Sequence, residues 1–300
     1  MKKLLLLITI LFTTAVSGFS QTKITQTRDV SGFTFVQLEI PATVYITQEN
    51  HFSVQVSASQ ELLDKINTEM KDNTLEISSE KDNNWKNFKG DFWKDKGDVI
   101  IYISMPKPNG LQVSGSGIVK AQNNFTTDYL EIEVHGSGMI DLKDFKAEKA
   151  SIIVQGSGMI KQQNGVASGL VEEVHGSGNI GAASLMSSVT SISLEGSGNI
   201  KINQLQSEKL EASLGGSGSI TVIKGTASST VLEDVGSGEI VAGDLVAGTV
   251  SAKVAGSGSI SIGVVDVLEA SVSGSGNVRY KGNPANVSKS VSGSGSVSRL

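Results

Sequence analysis

The sequence predicts an all-β fold, a right-handed parallel β-helix with coils of about 20 residues, and three observations predict it. The triplet Gly-Ser-Gly occurs ten times, its first glycine at Gly115, Gly136, Gly156, Gly176, Gly196, Gly216, Gly236, Gly256, Gly274 and Gly293, at intervals of 21, then six of 20, then 18 and 19. The flanks repeat too. Two residues before the triplets stand Val113, Val134, Val154, Val174, Leu194, Leu214, Asp234, Val254, Val272 and Val291; two residues after stand Val119, Ile140, Ile160, Ile180, Ile200, Ile220, Ile240, Ile260, Val278 and Val297, all β-branched and suited to strands. The third observation is compositional: 34 glycines and 5% aromatics would fill a conventional globular core poorly, whereas stacked small and β-branched residues fill a solenoid rung by rung.

A unit this short cannot bury an apolar face alone, but stacked coils pair each residue with its counterpart at ~4.8 Å, so ten coils make a rod roughly 45 Å long. The unit is too irregular for a hexapeptide helix and lacks the calcium-binding nonapeptide. A 40-residue double coil stays open, because the position six before the triplet alternates in size through Leu130, Ala150, Leu170, Thr190, Leu210 and Thr230. The triplet itself has two readings. By period-2 parity with Val134 and Ile140, both Gly136 and Gly138 point inward and the serines form an outward ladder; alternatively the triplet is a tight turn with positive φ at glycine.

Taken in order, residues 1–20 read as a signal peptide, with Lys2 and Lys3, an apolar run over 4–12, and small residues Ser17, Gly18 and Ser20, so the mature chain starts at Gln21. No later segment reaches the ~20 apolar residues of a spanning helix, and no transmembrane anchor is expected. Residues 21–110 read as a β-rich N-terminal capping segment. Its strands lie around Phe33 to Leu38, Val44-Tyr45-Ile46, Val54-Gln55-Val56 and Val99 to Ile103, with a short helix over 60–66 behind Ser59 as N-cap. Residues 111–300 read as the triplet-bearing solenoid, forming one continuous head with 21–110. The last coil is incomplete, and its open edge is expected to invite self-association through the solenoid end, or a packing partner.

With no cysteine, disulfides, thiolate metal sites and a lipid anchor on an N-terminal cysteine are excluded. Removing Lys2 and Lys3 with the leader takes the formal net charge from -5 to -7, and nucleic acid is excluded as a partner. Of the three histidines, His135 and His175 share one slot two coils apart, ~10 Å, too far for one metal to bridge. No metal or cofactor is expected. The nearest approach to an acidic cluster is Glu195, Asp234, Glu239 and Asp244. Asp234 stands where other coils have an aliphatic residue, which implies either a local outward shift of the coil or a buried carboxyl with a raised pKa. Glu172 and Lys289 also fall on inward slots. Scattered exceptions do not build a catalytic pair, so no catalytic residue is assigned and the chain reads as a non-enzyme.

The candidate ligand-binding residues are Trp85, Phe88, Phe92 and Trp93, interleaved with lysines and aspartates over residues 80–98. Tryptophan faces stack on sugar rings or hold a cation; the competing reading is a cap over the first coil. A second candidate is the slot after each triplet, apolar at Ile118, Met139 and Met159 and polar later.

Four stretches carry a resemblance: Arg28-Asp29-Val30-Ser31-Gly32-Phe33, Pro41-Ala42-Thr43-Val44-Tyr45-Ile46, and the triplets ending Gly178-Asn179-Ile180 and Gly198-Asn199-Ile200. Over nearly the whole mature chain the pattern resembles the auto-transporter adhesin head domain called the GIN domain, found in exported bacterial proteins. The resemblance implies a β-helix akin to pectin-lyase-like solenoids without their catalytic residues. It also implies a role in cell adhesion. The chain is accordingly read as an exported protein of the periplasm, the outer-membrane surface or the medium, with a surface glycan or protein as ligand. The alternative is a carbohydrate-active solenoid, either a glycan-binding module or a polysaccharide lyase or hydrolase. No membrane-barrel or trimeric anchor is expected after the repeats.

Overall fold

The computed structural model describes residues 23–79 and 98–300. These form a parallel β-solenoid of about 10 turns. Six long strands, Met159–Gly176, Asn179–Gly196, Asn199–Gly216, Ser219–Gly236, Glu239–Gly256 and Ser259–Gly274, each wind once around the axis. Each pairs in parallel with the next, as in Ile160 to Ile180 to Ile200 to Ile220 to Ile240, so one coil is 20 residues and no double unit is needed. The alternation from Leu130 to Thr230 is instead packing along one column, where all six residues are buried and large side chains neighbour small ones.

The core is a set of such columns. The column from Ile140 to Ile260 is at most 2% exposed. Across the interior, sizes compensate within a coil: Gln162 hydrogen-bonds Glu172, so these positions face each other, and the equivalents one and two coils on pair Ala182 with Ile192 and Ile202 with Ala212. The coil starting at Ser259 departs from strict register. It loses residues at the corner after Ile262, where pairing shifts between Ala242 and Ala247.

At the triplet corner, the two glycines do different work, so each sequence reading holds for one of them. The first is at the surface with φ of 110° to 146° over the ten triplets, a region costly for any side chain. The second is buried in every triplet but the last: a Cβ on Gly138 would lie 2.5 Å from Val113 Cγ1 and 2.7 Å from the Gly117 carbonyl oxygen. Coil-to-coil backbone bonds continue through the corner, Ser137 N–H donating to Gly115 O at 2.8 Å and Met139 N–H to Gly117 O at 3.0 Å. The serines face out.

The N-terminal strands continue the solenoid. Phe35–Leu38 and Thr43–Gln48 pair in parallel with Gly110–Gly115 and Ile118–Ala121. Because Leu38 opposes Val113 and Thr43 opposes Ile118, Ile40-Pro41-Ala42 occupies the place of a triplet. Outside this coil, though later in sequence, lies one made by Thr74–Ser79 and Ile100–Met105. Strand direction then reverses. Ile66–Lys71 pairs antiparallel with Thr74–Ser79, Ser53–Ala58 with Ile100–Met105, and Ile24–Arg28 with Ser53–Ala58. The helix is shorter than the sequence suggests, Gln60–Leu63, because Ile66 is drawn into its antiparallel strand; Leu62 and Leu63 are buried, and Ser59 makes no side-chain cap bond.

Candidate functional site

Trp85, Phe88, Phe92 and Trp93 lie outside the described residues. Their described flanks, Ser79 and Asp98, stand at the corner that triplets occupy in later coils, since Ile77 opposes Leu38 and Ile100 opposes Thr43.

The acidic residues singled out in the sequence are not brought together. Asp234 keeps its register between Leu214 and Val254 and is fully buried, so the expected outward shift does not occur; the pairing on both sides pins the coil. No side chain hydrogen-bonds the Asp234 carboxylate among the described residues, and the Ser259 backbone N–H pulls against the effect of burial. Burial pushes its pKa up to about 6. Glu172, also fully buried, is pushed by burial to about 7, with the hydrogen bond from Gln162 acting the other way. The register places these two acids three coils apart, ~14 Å. Glu195, Glu239 and Asp244 are exposed.

The histidine column is a surface feature. His135 lies 3.1 Å from Glu133 and His175 lies 3.2 Å from Glu195 and 3.4 Å from Glu173, with Gln155 in the coil between them. Burial raises the Glu133 carboxyl above its usual range, against the opposing pull of His135. No group of three metal-ligating side chains is found among the described residues. The slot after the triplets is half-buried at Ile118, Met139 and Met159, and passes into an amide ladder where Asn199 Nδ2 donates to Asn179 Oδ1 at 2.9 Å.

An aromatic pair emerges that sequence reading had treated only as strand. Tyr45 and Tyr102 oppose each other in adjacent coils and point outward, their rings stacked with centroids 5.5 Å apart and planes at 17°. Beside them lies a groove of about 340 Å³ whose polar lining is Thr47, Ser104 and Gln122, completed by Ile100 and Ile103; none of these residues is charged. The signal was present in the matching triads Val44-Tyr45-Ile46 and Ile101-Tyr102-Ile103, each with a tyrosine alternating between inward aliphatics. Only the pairing of two coils out of chain order makes it a pair.

A comparison with curated proteins finds no match. Among solved structures, a protein called "putative adhesin" from Parabacteroides distasonis is 21% identical, with a TM-score of 0.53 over 94% of this chain and 98% of that one, a likeness of fold. Another from Parabacteroides merdae is 20% identical with a TM-score of 0.49 over 94% and 97%. A "Putative lipid binding protein" from Parabacteroides distasonis is 26% identical with a TM-score of 0.49 over 94% and 98%. The family model "Putative auto-transporter adhesin, head GIN domain" matches residues 32–223 and again 192–284. The chain belongs to this adhesin head GIN-domain family.

Proposed function

We propose that the protein is an exported, non-catalytic binding protein of the bacterial envelope, acting in adhesion to a surface glycan or protein. The observation that carries this reading is the direction of the ionisable groups. The two acids with strongly raised pKa values point into a packed interior three coils apart, so neither can meet a substrate or the other. The outer faces, built on paired strands, are rigid surfaces suited to recognition. Family membership and the 1–20 leader support export to the periplasm, the outer-membrane surface or the medium.

The test is a glycan and matrix-protein binding screen with residues 21–300. Specific, saturable binding is expected. Turnover of a polysaccharide without retained binding would contradict the reading. Trp85→Ala and Trp93→Ala belong to the same screen: loss of binding with unchanged melting marks residues 80–97 as ligand-contacting, and stability lowered by roughly 3 kcal/mol or more with retained binding marks them as a cap.

A further inference from the structure

We propose that the groove beside the Tyr45–Tyr102 stack binds a pyranose ring of a neutral glycan, a proposal that rests on the binding reading above and gives it a ligand class. Three features of the groove point to this chemistry. The first is aromatic area held in solvent. Stacking occupies one face of each ring, yet Tyr102 remains 48% exposed, so the pair offers further apolar surface. Tyrosine and tryptophan side chains commonly supply such surface in recognition sites because the ring buries a large area and the polar tip stays hydrated.

The second feature is the kind of polar group beside the rings on the same face. Thr47 and Ser104 oppose each other on adjacent coils, and Gln122 follows on the next, its backbone N–H donating to Ile46 O at 2.8 Å. Hydroxyl and amide side chains each both donate and accept. A sugar hydroxyl also does both, and a pyranose joins an apolar C–H face to a rim of hydroxyls, so one ring can pack on tyrosine while its rim meets Thr47, Ser104 and Gln122.

The third is what the lining lacks. The lining carries no charged side chain, and the cation beside it, Lys120, opposes Tyr45 on the next coil and can donate to a sugar hydroxyl. An alkyl chain would bury three polar side chains without partners, each at a cost. Its volume, about 340 Å³, falls at the small end of ligand sites, consistent with one or two sugar rings. Tyr45, Thr47, Tyr102 and Ser104 sit on two mutually paired strands and Gln122 directly follows a third, so little ordering is needed on binding.

The experiment is isothermal titration of the full mature chain with neutral hexasaccharides of glucose, mannose, galactose and N-acetylglucosamine. At least one is expected to bind. Tyr102→Ala should weaken that binding by about tenfold or more while barely moving Tm, since the side chain is half outside. Tyr102→Phe, which keeps the ring, should stay within about threefold of the parent. Gln122→Ala tests the polar side of the groove and should weaken binding severalfold. Sugar binding unchanged in both Tyr102→Ala and Gln122→Ala overturns the site. Binding of proteins but of no neutral sugar overturns this inference and leaves the wider reading standing; a chain that binds nothing overturns both.

Discussion

The two ends of the solenoid handle the same hazard in different ways. A parallel stack ends in a row of unpaired backbone groups that can recruit another strand. At the N-terminal end the outermost parallel coil is covered by strands that reverse direction, so Val54 and Val56 are as inaccessible as the middle of the rod and the open edge passes to the short strand Ile24–Arg28. At the other end, Asn286–Gly293 is exposed along its whole length. Its protection is electrostatic. Lys289 stands in the column of Ala270 and Arg299 in that of Tyr280, so two cations occupy slots that earlier coils fill with apolar groups. Lys289 lies 5.1 Å from the Tyr280 ring centre and donates to Val297 O at 3.2 Å, turning its charge across the end of the core. One end is covered by packing, whereas the other, whose open edge the sequence expects to recruit a partner, carries two cations that oppose the stacking of a further coil.

The largest expected effect separates packing from position. Ile200→Asp in the middle and Val56→Asp under the N-terminal strands should each destabilise by about 4 kcal/mol or more, because an unpaired charge enters a dry site. Val297→Asp, only partly buried on the last coil, should cost less than about 1 kcal/mol. Chemical denaturation of the three variants reads this directly, and equal losses at Val56 and Val297 would erase the distinction between the ends.

The middle of the rod is itself strained by Glu172. Its folded pKa of about 7 exceeds the ordinary 4.5, so the native state holds the proton more tightly than the unfolded chain. This contribution to stability is therefore greatest below about pH 4, declines through the interval up to about pH 7, and is level above it. Glu172→Gln should raise stability at pH 8 by about 3 kcal/mol and flatten that decline. Melting curves between pH 4 and 8 that coincide for parent and variant would show that Glu172 is not buried as described.

A smaller loss is expected at the corner. Gly138→Ala forces a Cβ against Val113 and the Gly117 carbonyl and should cost about 1–3 kcal/mol, while Ser137→Ala, at the exposed centre of the same triplet, should cost under about 0.5 kcal/mol. The smallest effect on stability belongs to the C-terminal end. Replacing Lys289 with Val and Arg299 with Ile should leave Tm nearly unchanged but raise self-association in sedimentation experiments, because the inward charges that oppose stacking are gone. If the parent already associates as strongly as this variant, the electrostatic account of that end fails.

How much of this was legible depended on repetition. The isoleucine column could be read residue by residue because its offset from the triplet never changes, and the same offset marked Asp234, Glu172 and Lys289 as inward. What Asp234 does there was not legible, since whether a coil yields outward depends on its neighbours' pairing. The N-terminal coils were harder. Ile40-Pro41-Ala42 carries no triplet signature, and the strand it follows pairs with residues 75 positions later. Tyr45 and Tyr102 were visible as strand residues, but their stack exists only through that nonlocal pairing.

The account holds that the outer faces bind and that the interior performs no chemistry. The most direct test is to hold the mature chain with the neutral hexasaccharide panel, measure binding by calorimetry, and then recover each sugar for mass analysis. The account predicts saturable binding with every recovered chain at full length. Shortened chains, or new unsaturated ends, would contradict it.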